Sequence, residues 1–390
     1  MTAFSEAIDR ITVEDLRRRG GVKWTRGGPE VLGAFVAEMD FGTAPAVETA
    51  LRDLIARQDY GYLPPAAGDA LAVACSGWLA DQFGWSVDPV RIRPLPDVIK
   101  GLELAIAMFS RPGSPVILPT PAYMPFLSVP PLLGREIIQV PMASQDGRMT
   151  LDLDGIAEAY RAGGHLLVLC SPCNPAGRVY TRDELLAVEA VVEHFGGRVF
   201  ADEIHAPLCY PGHPHVPYAS ISAAAAGHAV TATSASKGWN LPGLKCGQLI
   251  LSSDADAQRW EAGGRMYGRG ASGPGVRANT AAYTAGREWL AEVVAYLDGS
   301  RALLADLVAE HLPGVRYRPP EGTYLAWLDC RDTGLGDRPG EFFLEKAGVL
   351  MNDGPAFGTA GHGCVRMNFG TPRPVLTEIV RRMGQALANR

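Results

Sequence analysis

The chain has 390 residues, 47% of them hydrophobic and 20% charged, with a formal net charge of -6 and a pI near 5.8. That length can bury one large core and a smaller one, and the lack of any basic block argues against nucleic acid or an anionic membrane as partner. No apolar run reaches the roughly 18 residues of a membrane span, residues 1–7 have neither a basic n-region nor an apolar core, and seven scattered cysteines suit a reducing cytoplasm.

Along the chain, short apolar runs alternate with amphipathic stretches. Strands are predicted at residues 115–118, 136–140, 166–169, 198–201, 229–232 and 248–251, each rich in Val, Ile or Leu, as strands covered on both faces are. Helical spacing lies between them. Residues 101–109 carry Leu102, Leu104, Ala105, Met108 and Phe109, and residues 181–195 open on Thr181-Arg182-Asp183-Glu184, a capping-box pattern. The alternation predicts an α/β fold with a mostly parallel mixed sheet covered by helices. Further on, a long helical pattern runs from about 278 to 311, followed by strands at 323–328 and 365–368 and a last helix at 374–387. These read as a smaller α+β domain. The expected division is an N-terminal segment 1–45 that joins the small domain, a large domain 46–275, and a small C-terminal domain 276–390, with Pro/Gly-rich residues 263–275 at the boundary.

The residues that carry chemistry fall just after the predicted strands, where open α/β sheets bind ligands. The segment 233–245 is the most informative: Lys237 follows a Ser234-Ala235-Ser236 turn, and Lys245 follows eight residues later behind a glycine. A lysine amine, two hydroxyls and a second cation suit a cofactor that combines an aldehyde with a phosphate dianion, namely pyridoxal 5'-phosphate. Two other patterns point nowhere. Cys170-Ser171-Pro172-Cys173 lacks the second pair of a zinc site or a thioredoxin-like context. His205, His213 and His215 invite a metal reading, but His213-Pro214-His215 lies among Pro and Gly with no carboxylate at a helical i+4 spacing beside it, so no metal site is expected.

Taken in order, the segments Val36-Ala37-Glu38-Met39-Asp40-Phe41, Gly61-Tyr62, Pro121-Ala122-Tyr123, Asn174-Pro175-Ala176-Gly177-Arg178-Val179, Asp202-Glu203-Ile204-His205, Ser234-Ala235-Ser236-Lys237 and Val365-Arg366-Met367-Asn368 resemble the pyridoxal-phosphate-dependent enzymes of the aspartate aminotransferase fold type. Met39-Asp40-Phe41 and Asp202-Glu203-Ile204-His205 make the chain most like the cystathionine and cysteine-conjugate β-lyase branch. The resemblance implies Lys237 as the cofactor-binding base, Asp202 at the pyridine nitrogen, Asn174 and His205 at the phenolic oxygen, and Tyr123 stacked on the ring. It assigns the phosphate to Ser234, Ser236, Lys245 and the backbone amides of Val98 and Ile99 at a helix N-terminus. Tyr62 would reach the phosphate of a neighbouring subunit, so a homodimer with shared active sites is implied. Arg366 would clamp the substrate carboxylate. Met39, Asp40, Tyr62, Met124, Arg265 and Tyr267 would line the substrate's far end. Two positions depart from the family pattern. Asp97 stands where a small glycine is usual, and is expected to turn away from the phosphate and cap the helix. Lys245 stands where arginine is common, and offers charge without a bidentate fork.

The implied reaction is carbon–sulfur β-elimination from cystathionine or a cysteine S-conjugate, giving a thiol, pyruvate and ammonia. The same residues would serve an aminotransferase, or a specialised lyase or deaminase of natural-product biosynthesis. From a different class comes a regulatory protein that merely carries the cofactor. An appended helix-turn-helix would not fit within residues 1–36.

Overall fold

The computed structural model describes residues 2–145, 147–266 and 270–390. A seven-stranded sheet lies at its centre: β1 (Ile92–Leu95), β2 (Val116–Thr120), β3 (Ile137–Pro141), β4 (Leu166–Cys170), β5 (Arg198–Asp202), β6 (Ala229–Thr233) and β7 (Gly247–Leu251). Their spatial order is β1-β7-β6-β5-β4-β2-β3, with β7 antiparallel to both of its neighbours and the strands from β6 to β3 parallel. Alternate residues of the central strands enter two separate cores. Leu167, Leu169, Val199, Ala201 and Ile250 face one, and Leu166, Val168, Phe200, Val230 and Leu249 face the other. Burial on both faces explains why these strands read as unbroken apolar runs. The edge strand β1, Ile92-Arg93-Pro94-Leu95, escapes that pattern, because proline lacks the ladder N–H and is tolerated where one side of the ladder is free.

Three helices position the site. α1 (Pro45–Ala56) and α2 (Pro65–Phe83) flank the sheet, and α3 (Val98–Met108) lies on it through Leu102, Leu104, Ala105 and Ile106. Each such leucine contributes on the order of 2 kcal/mol by burial. Gly101 sets the approach, since a Cβ there would stand 3.1 Å from Ala232 and 3.4 Å from Phe200. α3 therefore sits tight on the sheet, with its N-terminus at the strand tips. It begins three residues before the expected 101, because the Asp97 side chain accepts from the Lys100 amide and caps it. The helix Arg182–His194 keeps the capping box predicted at Thr181 and Glu184.

The helical stretch expected without a break from 278 to 311 is in fact two helices, α4 (Gly273–Ala285) and α5 (Arg287–His311), parted at Gly286. The Gly286 carbonyl accepts the Trp239 indole N–H at 2.8 Å, and α4 packs on α1 and α2. Tertiary contact with the large layer, which helical spacing does not encode, ends the first helix. Beyond it lies a second, antiparallel sheet of β8 (Arg316–Tyr317), β9 (Leu325–Asp329), β10 (Asn352–Asp353) and β11 (Cys364–Asn368), in the order β8-β9-β11-β10. β9 starts two residues later than predicted because Thr323 takes a left-handed φ of 72°. The last helix, α6 (Arg373–Ala388), turns Val375, Leu376, Ile379, Val380 and Met383 inward and packs against α5. The N-terminal segment lies along this smaller unit. Leu32–Gly33 pairs in parallel with Val349–Leu350, and the Asn368 amide donates to the Ala34 carbonyl at 2.8 Å. Among the described residues no helix is long and apolar enough to cross a membrane, and no cluster of His, Cys, Asp and Glu could hold a metal ion.

Candidate active site

The C-terminal tips of β2, β4, β5 and β6 converge with β11 and residues 35–38 on one pocket. Asp202 closes β5, is almost fully buried, and accepts the Ile204 amide at 3.1 Å. Burial raises its pKa to about 7, against the lowering effects of the Ile204 amide and Lys237. A buried acid in that condition gains from a cationic N–H partner. Lys237 lies on the short helix Ala235–Gly238 that follows β6. Its Nζ donates to the Ala37 carbonyl at 2.6 Å. Burial first, and Arg366 second, pull its pKa down to about 8, so roughly a fifth of the amine is neutral at pH 7.4, far more than for an ordinary lysine.

Arg366 is buried on β11. Its guanidinium donates to Asn174 Oδ1 at 3.1 Å, to the Phe35 carbonyl at 2.5 Å and to Asn352 Oδ1 at 2.7 Å, and it lies 5.0 Å from the Phe357 ring centre. Burial draws its pKa down to about 10, which leaves it cationic. No carboxylate is among these partners, so the charge is available to an anionic ligand. Tyr123 opens the helix Met124–Leu132 and meets Phe126 edge-on at 5.5 Å. His205 is buried, and burial lowers its pKa well below the usual range, so the ring is neutral. It meets Tyr324 edge-on at 5.9 Å.

The donors here suit pyridoxal phosphate. His205 Nδ1 and Arg366 Nε are buried without a hydrogen-bond partner among the described residues. Such atoms are costly unless a ligand meets them. Together with a desolvated acid, a depressed lysine and a helix N-terminus, they match the cofactor's phenolic oxygen, ring nitrogen, aldehyde and phosphate, and the substrate carboxylate.

Several expected contacts prove different. The Asp40 carboxylate is not turned to a substrate. One oxygen accepts Lys23 Nζ at 2.8 Å and the other the Trp24 indole N–H at 2.8 Å, and all three residues are buried. Met39 is likewise core, its backbone held on both sides by the Asn240 amide. Both residues fix the 36–38 segment from behind. The Ser234 hydroxyl is spent inward: it donates to the Cys246 carbonyl at 2.6 Å and accepts the Ser236 amide at 3.0 Å. Ser236 stays half-buried on the first turn. Asp97 caps α3 as expected but does not turn away, for its other oxygen takes Lys245 Nζ at 2.8 Å. Tyr62 is fully exposed. Met124 is half-buried, Tyr267 lies outside the described residues, and so does the side chain of Arg265. Of the cysteine pair, Cys173 is buried and Cys170 half-buried, and desolvation pushes both thiol pKa values up, so neither is a ready nucleophile. His215 pairs with the buried Glu203.

Other participants carry no sequence signal. Tyr324 donates to the same Ala37 carbonyl as Lys237, at 2.9 Å. Asn352 holds Arg366. Asn279 accepts the Ala235 amide at 3.0 Å and so steadies the lysine turn. Glu321 takes the Val179 amide at 3.0 Å and pairs with Arg178 and Arg148, tying the Asn174 loop to the smaller unit. Each has a local sequence context that reads as strand, helix or loop, and only a long-range partner gives it a role.

This fold, with an acid and a lysine at adjacent strand tips and a buried arginine facing them, defines a class. Residues 33–383 match the family model for aminotransferase class I and II, and the chain belongs to that family. More particularly, it is 37% identical to a cystathionine β-lyase of Corynebacterium glutamicum over 96% of this chain and 99% of that protein. Among solved structures, one assigned as a pyridoxal-phosphate-dependent β-cystathionase of Corynebacterium diphtheriae superposes with a TM-score of 0.92 at 40% identity, covering 97% of this chain and 98% of the other. Cystalysin of Treponema denticola, whose structure contains pyridoxal 5'-phosphate, superposes at 0.90 with 27% identity over 97% and 98% of the two chains.

Proposed function

We propose that this chain is a pyridoxal-phosphate-dependent carbon–sulfur β-lyase that cleaves cystathionine or a cysteine S-conjugate to a thiol, pyruvate and ammonia. The observation that carries the reading is the convergence of half-buried Lys237 with buried Asp202 and Arg366, each with its pKa displaced by desolvation. Identity to named β-lyases across nearly the whole chain supports it.

Arg366 binds the substrate carboxylate through paired N–H donors, while Asn174 and Asn352 keep its plane fixed. That grip orients Cα toward Lys237, whose depressed pKa supplies a neutral amine to take the Cα proton. When bound, pyridoxal phosphate supplies an electron sink for the negative charge that develops at Cα. Asp202 would hold a proton at the ring nitrogen, and neutral His205 and Asn174 would offer hydrogen bonds at the phenolic oxygen. Tyr123 would cover one face of the ring. The Cβ–S bond then breaks with its electron pair on sulfur, and addition of water to the remaining fragment yields pyruvate and ammonia. Val98, Ile99, Ser236 and Lys245 would hold the phosphate.

An aminotransferase outcome needs the same residues and differs only in where Lys237 returns its proton. Incubation with cystathionine and no 2-oxo acid separates the two. A β-lyase releases pyruvate and thiol over many turnovers, and a single turnover followed by a stall would overturn the reading. The exposed pair Tyr60 and Tyr62 supports a homodimer in which Tyr62 completes the partner's phosphate site. A monomer by light scattering that retains full activity would end that part. Within each subunit, we place the large unit at residues 46–286 and join residues 1–45 to the smaller one, since α4 packs with α1 and α2.

A further inference from the structure

The phosphate end of the pocket contains an acid that the reaction does not use. Asp97 is the N-cap of α3, the helix whose first amides are assigned above to the phosphate. One oxygen accepts the Lys100 amide at 2.9 Å, so the carboxylate is anchored at that helix end. The other accepts Lys245 Nζ at 2.8 Å. Lys245 is the cation assigned to the phosphate, and its backbone is fixed in the left-handed region at φ 51°. The second cation nearby, Lys100, is paired with Glu103 on the same helix. The cradle therefore offers a helix N-terminus and one lysine to a dianion, and places a full negative charge against that same lysine.

From this geometry we infer that Asp97 is an affinity-setting residue that weakens the hold on the cofactor phosphate. Resting on the assignment of this cradle to the phosphate, the inference names a role for a residue that touches neither ring nor substrate. A phosphate dianion must share Lys245 with Asp97 and sit beside its charge. Both effects oppose binding, and the pair is open enough to solvent that the penalty is moderate. The ring end of the site feels it less, for the Asp97 charge is only a lesser cause of the raised Tyr123 pKa, behind burial and Asp202.

The test is Asp97→Asn in the full chain. Asparagine caps a helix about as well as aspartate, so α3 is preserved while the charge is removed. Apoprotein is titrated with pyridoxal 5'-phosphate and, separately, with pyridoxal, which lacks the phosphate, and the absorbance of lysine-bound cofactor gives each Kd. The expected result is about tenfold tighter binding of the phosphorylated ligand and an unchanged Kd for pyridoxal. Inorganic sulfate, which needs no lysine chemistry, should raise the melting temperature of Asp97→Asn more than that of the native chain. Asp97→Ser, another capping residue, serves if the asparagine variant folds poorly. Unchanged or weaker binding of the phosphorylated ligand, or an equal gain for both ligands, overturns the inference while leaving the cofactor site intact. A native chain that develops no bound-cofactor absorbance overturns the cradle itself.

Discussion

The two ends of the pocket are built on different physics. At the ring end, Asp202, His205 and Arg366 are buried and Lys237 is half-buried, and desolvation is the first cause of every displaced pKa. At the phosphate end, Lys245 and Asp97 are open to solvent and interact as a screened ion pair. Desolvation makes large, sharply placed effects, whereas a solvated pair makes small and adjustable ones. Chemistry is therefore expected to depend steeply on the ring end, and cofactor retention to be tuned at the other.

The largest effect should come from Lys237→Ala. Loss of the base lowers pyruvate release from cystathionine by at least about a thousandfold, measured at saturating cofactor with folding checked by circular dichroism. Activity within tenfold of native would break the comparison outright. Next is Arg366→Ala, expected to reduce kcat/KM about a hundredfold, with Arg366→Lys recovering little because an ammonium cannot replace the planar fork. Full rescue by lysine would mean that charge alone matters there, as at the phosphate end.

The pH dependence gives a third probe. Only the neutral amine of Lys237 can capture the cofactor aldehyde. Its pKa is lowered from an ordinary lysine value to about 8, so the capture rate should be flat above pH 8 and fall about tenfold per pH unit below it. Stopped-flow mixing of apoprotein with cofactor reads this directly, and a rate still climbing steeply above pH 9 would show that the lysine is not desolvated. The smallest effect expected is at Asn352. Replacing it with alanine frees the guanidinium of one partner and should raise KM several-fold with kcat little changed. An equal loss in both would place Asn352 closer to the reacting atoms than its contact with Arg366 implies.

Much of this was legible from the chain. The six central strands, the strand-tip positions of Asn174, Asp202, His205 and Lys237, and the cap at Thr181 follow from local apolar pattern and residue chemistry. The failures have a common cause. Met39 and Asp40 look like pocket residues because of the segment they occupy, yet the Lys23 and Trp24 partners that bury the acid lie in a separate N-terminal turn. Ser234 looks like a phosphate ligand until the Cys246 carbonyl claims its hydroxyl. The helix break at Gly286 depends on an indole from the lysine turn.

Sequence by itself determined the α/β alternation and the strand-end positions of the candidate side chains, because period, capping and strand-end position are local properties. The tertiary structure decided which of those side chains face the pocket, how far their pKa values move, and that Asp97 shares Lys245. Desolvation and pairing depend on groups brought together from distant parts of the chain, and no local pattern encodes them.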